Sequence, residues 1–166
     1  YILGGEISDV GVESTIVDCT VNPPLVLRPG GVTLEMLKSI CNEIELDRGL
    51  LEKNNKNLQP KAPGMKYKHY APKAEMIIFT GDPEKVRLAM AEEKMERAQF
   101  GQRVEVMLYG DKDPSVAAKE FFAQLREYDK TDVDVIFATA LAEDGIGLAV
   151  MNRMFKSAGY NIREIK

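Results

Sequence analysis

The residues best suited to chemistry in this sequence are concentrated between positions 62 and 73. The stretch contains the only histidine, His69, followed by Tyr70, together with three lysines, a second tyrosine, two prolines and a glycine. An imidazole exchanges a proton near neutral pH, its cation can meet a phosphate, and a tyrosine ring can stack on a base. The stretch lacks helical and strand periodicity, and long irregular segments are often functional. A basic connector that packs its tyrosines on a neighbouring surface would have the same composition.

Two further groups could contact an anion, and each lies at the end of a predicted strand. Ser14 and Thr15 carry hydroxyls that can bond a carboxylate or phosphate oxygen, although such a pair often bonds its own backbone. Arg28 precedes a Pro-Gly-Gly turn that includes Gly30. The arginine fork and the backbone N–H groups beside the glycine suit a phosphate, and an ordinary surface arginine at a turn is the alternative.

The same inventory argues against several kinds of site. A single histidine argues against a histidine-based metal site, and Cys19 and Cys41 lack metal-ligand spacing. Two cysteines are too few for a disulfide framework, which favours a reducing, cytoplasmic location. The run Gly145-Ile146-Gly147 lacks the third glycine of a dinucleotide-binding loop, so it predicts the start of a helix. Asn152-Arg153 within that helix predicts a solvated or an inter-element polar pair, and we assign no catalytic residue.

Length and charge limit the classes of protein that fit. A chain of 166 residues with 45% hydrophobic residues fits one domain, or one domain and a piece of another. The formal net charge of -4 argues against nucleic-acid binding by the whole surface, although a local basic patch is compatible with it. The sequence has neither an apolar run of about 20 residues nor a secretory signal, so we predict no membrane partner. The chain opens on Tyr1, which we interpret as the sign of a piece of a longer protein.

The periodicity predicts two regions of different architecture. Short apolar runs at 14–18 and 24–28 flank a turn signal and predict a hairpin, and Thr33 predicts the N-cap of a short helix. Residues 47–61 are polar and aperiodic and predict a mobile loop. Beyond position 75, predicted strands alternate with predicted helices, and this alternation is typical of a parallel sheet with helices on its faces. The strands are predicted at 76–79, 104–108 and 133–138, and the helices at 83–98, 113–128 and 146–158.

Three motifs then occur in order: Gly-Val-Glu-Ser-Thr-Ile-Val-Asp at 11–18, Leu-Arg-Pro-Gly-Gly at 27–31 and Ala-Pro-Gly-Met-Lys-Tyr-Lys-His-Tyr-Ala-Pro at 62–72. Together they resemble the long form of the threonylcarbamoyl-AMP synthase family, which has a YrdC-type catalytic domain, a linker and a C-terminal domain. The stretches at 121–129, 136–138 and 145–153 also resemble the second domain of that family. The resemblance implies an α/β fold in three parts. They are the closing β-rich piece of a YrdC-type domain at 1–46, a linker or lid at 47–74, and a Rossmann-like parallel sheet with flanking helices at 75–166.

The resemblance also implies an activity. Members of the family are nucleotidyltransferases that join ATP, L-threonine and bicarbonate into threonylcarbamoyl-AMP and release pyrophosphate, with Mg²⁺ accompanying the ATP. A partner complex then transfers the threonylcarbamoyl group to tRNA. On this resemblance, Ser14 contacts substrate or nucleotide, Arg28 and Gly30 hold the nucleotide, and His69 and Tyr70 close over it as part of a lid. A lid has a clear purpose here, because water destroys a mixed anhydride.

One departure from the family limits what this chain is expected to do alone. The basic Lys-Arg segment that holds ATP and threonine in the family does not precede Ser14 in this sequence. We therefore expect the chain to be inactive by itself. A regulatory or partner-binding module at 75–166, without catalysis, is the alternative. A third interpretation is a weak direct contact with tRNA through the basic patch between Lys61 and Lys73.

Overall fold

The computed structural model describes residues 1, 9–51, 61 and 71–166, and these residues fold around two separate sheets. The first sheet contains three strands: β1 (Ile16–Asp18), β2 (Leu25–Arg28) and β3 (Glu45–Leu46). β1 and β2 are antiparallel, so the predicted hairpin is confirmed, and β3 runs parallel to β2. Thr33 caps α1 (Leu34–Lys38), as predicted, by accepting a hydrogen bond from the Met36 N–H at 3.3 Å.

The prediction of a loop throughout residues 47–61 is wrong at its first residues. A short helix, α2 (Arg48–Leu51), follows β3 directly. Asp47 is only 5% exposed, and its Oδ1 accepts a hydrogen bond from the Gly49 N–H at 2.8 Å. The Asp47 N–H donates to the Val26 carbonyl oxygen at 3.0 Å. Asp47 is therefore a buried polar residue whose hydrogen bonds are satisfied within the protein. Composition alone does not distinguish such a residue from one exposed to solvent. Residues 52–60 lie outside the described part of the chain.

The second sheet confirms the predicted α/β class. Its four strands lie in the order β5-β6-β4-β7 and are all parallel. They are β4 (Glu75–Gly81), β5 (Val104–Met107), β6 (Val135–Thr139) and β7 (Ile162–Ile165). Three of them lie where the sequence predicts strands. We did not predict β7, because this edge strand is short and three of its four residues are exposed, so it lacks an apolar run.

Long helices cover both faces of the second sheet. They are α3 (Pro83–Gln99), α4 (Pro114–Tyr128) and α5 (Gly145–Ser157). Side chains alternate along β4, so Ile77 and Phe79 pack in the cluster that contains residues of α3, and Ile78 packs in the cluster that contains residues of α4 and α5. α5 begins at Gly145, as predicted. No helix of the described residues is long and apolar enough to cross a membrane.

The segment before β1 lies against the second sheet's helices. Val12 packs on the core cluster formed with α4 and α5. Gly11 has φ +74°, and a Cβ there would lie 2.4 Å from the Ala118 carbonyl oxygen and 2.5 Å from the Lys119 Cα on α4. The chain backbone can approach α4 this closely only because position 11 has no side chain. The first region (residues 9–51) and the second region (residues 71–166) therefore share a packed contact.

Candidate functional site

Antiparallel pairing of β1 and β2 brings two predicted site residues, Ser14 and Arg28, side by side. The Arg28 Nε–H donates to the Ser14 carbonyl oxygen at 3.0 Å, and Nη2 donates to the Ser14 hydroxyl at 3.2 Å. Ser14 is exposed and Arg28 is half-buried. Gly30, a third predicted residue, follows Arg28 by two positions. His69 and Tyr70 lie outside the described residues.

Gly30 contacts the backbone that leads into β1. A Cβ at this position would lie 2.4 Å from the Glu13 carbonyl oxygen, 2.4 Å from the Thr15 nitrogen and 2.6 Å from the Ser14 carbonyl carbon. Space, not backbone conformation, therefore requires glycine here. The Thr15 hydroxyl donates to the Val32 carbonyl oxygen at 2.6 Å, which is a second link between the same segments. The contacts between residues 13–15 and 28–30 thus form a tightly packed polar corner around Ser14 and Arg28.

Two described lysines that flank residues 62–70, Lys61 and Lys73, each contact an aspartate carboxylate. Lys61 Nζ donates to Asp47 Oδ2 at 2.9 Å. Burial alone would raise the pKa of the Asp47 carboxyl, but the hydrogen bonds from Lys61 and from the Gly49 N–H outweigh burial and lower it. The Lys73 N–H donates to Asp129 Oδ1 at 2.8 Å, and its Nζ donates to the Asp129 carbonyl oxygen at 3.1 Å. One end of the basic patch is thus joined to the first region and the other end to the second.

Arg153 on α5 links the two regions at the polar corner, through partners that were not predicted from the sequence. Its Nε–H donates to Glu13 Oε2 at 2.7 Å, and Nη1 donates to the Pro29 carbonyl oxygen at 2.6 Å. Arg153 is 6% exposed. Of the two interpretations of this residue, the inter-element contact is confirmed and the solvated one is wrong. A signal was present, because Arg153 follows the buried Ala149 and Val150 by four and three residues and so lies on the apolar face of its helix.

The charges around this link are mostly positive. Burial alone would raise the pKa of the Glu13 carboxyl, but the hydrogen bond from Arg153 and its positive charge outweigh burial and lower it. Lys156 is also buried, and its Nζ donates to Asn152 Oδ1 at 2.9 Å. Burial, followed by repulsion from Arg153, lowers the pKa of Lys156 to about 8, and repulsion from Arg28 adds to the shift. The polar corner is therefore backed by cations, a suitable environment for an anionic ligand.

Comparison with known proteins identifies the family. The family model described as "Threonylcarbamoyl-AMP synthase, C-terminal domain" matches residues 32–159. The chain belongs to the threonylcarbamoyl-AMP synthase family. It is 41% identical to the threonylcarbamoyl-AMP synthase of Pyrococcus abyssi, over 98% of this chain and 50% of the relative. It is 36% identical to the protein of the same name from Bacillus subtilis, over 95% of this chain and 48% of the relative. The chain thus spans about half the length of the curated relatives it matches.

Solved structures of family members match the whole described architecture. The crystal structure of Sua5 from P. abyssi complexed with L-threonine has a TM-score of 0.86 and 40% identity, and the match covers 98% of this chain and 50% of that one. A structure of a P. abyssi Sua5 variant, in which a histidine and the following tyrosine are both replaced by alanine, has a TM-score of 0.84 and 38% identity. That match covers 95% of this chain and 48% of the variant.

In this member of the family, the second sheet has a crevice of its own. The helices that follow the adjacent strands β4 and β6 lie on opposite faces, and ligands of open parallel sheets bind where this happens, at the carboxyl ends of the strands. A cavity of about 400 Å³ lies there. Its lining includes Thr80, Arg87, Asp111, Lys112 and Thr139. Arg87 and Asp111 form an ion pair between α3 and the loop after β5.

Metal ligands are not grouped in the part of the chain that the structure describes. Within it, no set of three or more His, Cys, Asp or Glu side chains could hold a metal ion.

Proposed function

We propose that this chain is the C-terminal half of an L-threonylcarbamoyladenylate synthase. The reaction combines ATP, L-threonine and bicarbonate into threonylcarbamoyl-AMP, with release of pyrophosphate and loss of water. Membership of the family supports the activity, and the threonine complex of the P. abyssi relative supports the substrate. The observation that carries the proposal for this chain is the Ser14–Arg28 pair, held against Gly30.

Each residue of the corner has a role in this proposal. Arg28 meets the phosphates of ATP, because a guanidinium binds phosphate oxygens through parallel hydrogen bonds. The exposed Ser14 hydroxyl bonds substrate or nucleotide, and Gly30 allows the backbone to approach the ligand closely. Mg²⁺ arrives with ATP and neutralises phosphate charge. No residue of this chain is assigned to proton transfer or covalent catalysis.

His69 and Tyr70 are proposed to form part of a lid over the nucleotide. Two observations support this role. The described neighbours of their segment, Lys61 and Lys73, are bonded to the first and second regions respectively. In addition, the P. abyssi relative has been studied with a consecutive histidine and tyrosine replaced, and the only such dipeptide in this chain is 69–70.

The wider proposal concerns organisation and partners. Residues 1–46 would be the closing piece of a YrdC-type catalytic domain, 47–74 the linker and lid, and 75–166 an accessory domain, in a protein of the cytoplasm. A tRNA-modification complex would accept the product. A weak direct tRNA contact through the basic patch receives less support, because carboxylate or carbonyl oxygens already bond Lys61 and Lys73.

Pyrophosphate release tests the proposal. We compare this chain with an extended protein, in which the chain is preceded by the N-terminal part that its relatives have, and supply ATP, L-threonine and bicarbonate. We expect threonine-dependent release from the extended protein and none from the chain alone. Release by the chain alone would contradict the fragment interpretation, and silence of the extended protein would contradict the activity.

The crevice of the second sheet favours a second candidate, a regulatory module that binds a small molecule. Its volume lies in the range of roughly 300–1,000 Å³ typical of ligand sites. The charge of the ligand would decide whether the Arg87–Asp111 ion pair at the crevice stays together or separates. A screen of small anions by amide chemical shifts of this chain tests the idea. Shifts confined to the loops after β4, β5 and β6, lost in Arg87→Gln, would support it, and the absence of such shifts with every anion would contradict it.

A further inference from the structure

We propose that Arg153 is a positioning residue for the nucleotide site, so that the C-terminal domain sets the affinity of the catalytic piece for ATP. This inference rests on the proposed function, because it takes Ser14 and Arg28 as nucleotide contacts. Arg153 itself is buried and acts through the residues it bonds.

The geometry couples one guanidinium to both segments of the polar corner. Arg153 Nε bonds Glu13, which directly precedes Ser14, at 2.7 Å. Its Nη1 bonds the carbonyl oxygen of Pro29, which directly follows Arg28, at 2.6 Å. The Arg153 side chain therefore joins the two segments in addition to the Arg28–Ser14 hydrogen bonds.

The site has little freedom to compensate for loss of this link. Gly30 already presses on the backbone of residues 13–15 at distances that a Cβ could not tolerate, so a small shift of the turn moves Ser14 as well. Arginine suits the role because its planar fork serves two acceptors at once, whereas the ammonium of a lysine is a single point of charge. An Arg153→Lys substitution therefore keeps the charge but not the geometry.

The docking of the two regions does not depend on Arg153 alone. Val12 packs on the apolar core near α4 and α5, and Gly11 lies against α4. A second link joins the Gly145 N–H to Glu35 Oε1 at 3.4 Å. Loss of the guanidinium should thus leave the regions together while the polar corner loosens.

The experiment compares Arg153→Met and Arg153→Lys with a matched control in the extended protein. Arg97→Met is the control, because Arg97 also bonds carboxylates, Glu93 at 2.9 Å and Glu75 at 3.5 Å, but both lie within the second region. We measure kcat and KM for ATP by pyrophosphate release, and hydrogen exchange of residues 13–31. We expect Arg153→Met to raise KM for ATP about tenfold to a hundredfold with a small change in kcat, since a misplaced ground-state contact weakens binding. Arg153→Lys should recover only part of the affinity, and Arg97→Met should leave KM unchanged.

Hydrogen exchange separates failure of this inference from failure of the proposed function. Exchange in residues 13–31 should be faster in Arg153→Met and unchanged in Arg97→Met, whether or not the protein turns over. Faster exchange in an extended protein without activity would support the positioning and contradict the function. Unchanged exchange, or an unchanged KM in an active protein, would overturn the positioning role. The double variant Glu13→Leu/Arg153→Met should raise KM for ATP no further than Arg153→Met alone, because both substitutions remove the Glu13–Arg153 link. Additive increases in KM would also overturn the positioning role.

Discussion

The first sheet (β1–β3) and the second sheet (β4–β7) differ in the number of apolar side chains buried around them. In the described part of residues 9–51, the buried apolar side chains are Val26, Leu27 and Ile44. Every other buried apolar side chain of the described residues lies in the second region, on both faces of its sheet. The nucleotide-binding residues of our proposal therefore lie on the region with the smaller core. The segment before β1 in that region also packs against α4 and α5.

Substitutions of buried core residues should show the largest difference between the two regions, in the free energy of unfolding. Phe121 is a fully buried residue of α4, and Leu27 is the buried member of a small cluster with Ile16 and Leu25. Phe121→Ala should lower the free energy of unfolding by about 3–5 kcal/mol, and Leu27→Ala by about 2 kcal/mol. Urea denaturation of this chain, followed by circular dichroism, measures both. Equal losses would mean that the two regions do not differ in the way that burial implies.

Gly30→Ala should have the next largest effect, on activity. The added methyl group would force the turn away from residues 13–15 and separate Ser14 from Arg28, so kcat/KM of the extended protein should fall about a hundredfold. Gly110→Ala is the matched control, because a Cβ there finds its nearest atoms at 3.5 Å or more and the residue has no positive φ. Normal turnover by Gly30→Ala would show that the tight approach has no role in the reaction.

Gly11→Ala tests the contact between the regions. The backbone there has φ +74°, and the new Cβ would also collide with α4 at Ala118. Gly101→Ala is the control, because Gly101 has φ +76° but no atom within 4 Å of its Cβ position. Backbone strain should cost each variant on the order of 1 kcal/mol, and only Gly11→Ala should also speed hydrogen exchange in residues 9–46. Identical exchange in the two variants would mean that docking against α4 does not order the first region.

The pH dependence of stability tests the buried charge of Lys156 on α5. Its folded-state pKa of about 8 lies below the ordinary lysine value, so the unfolded chain binds more protons between about pH 8 and 10. The cost of the buried charge is fully present below pH 8 and is relieved as the pH rises through this window. The free energy of unfolding should therefore increase with pH in the wild type relative to Lys156→Met, by on the order of 1 kcal/mol per pH unit at most. Parallel pH profiles for the two proteins would contradict the lowered pKa.

Local signals predicted the second region well. Asp82 and Asp113 each precede a proline and cap a long helix through their side chains, and the apolar run in β4 is continuous. These features depend on neighbours in sequence. The edge strand β7 escaped prediction because its burial is shallow, and α2 escaped because Asp47 is a buried polar residue within a polar stretch.

The candidate site was predictable only in part, because one of its contacts joins residues that are far apart in the sequence. Hairpin pairing joins Ser14 to Arg28 across 14 positions, and a turn signal makes that pairing visible in the sequence. The Glu13–Arg153 link spans 140 positions, and no local pattern specifies which carboxylate a buried arginine will meet. Periodicity indicates that Arg153 faces the core, but its partner depends on how the two regions dock.

The role of Arg28 at the nucleotide site is the central claim, and steady-state kinetics of Arg28→Met in the extended protein test it most directly. Pyrophosphate release is measured against ATP concentration at saturating L-threonine and bicarbonate, beside the wild type. We predict that KM for ATP rises at least about tenfold, because the substitution removes the guanidinium that we propose bonds phosphate. An active protein with unchanged KM and kcat for ATP would contradict the assignment of the Ser14–Arg28 corner to the nucleotide.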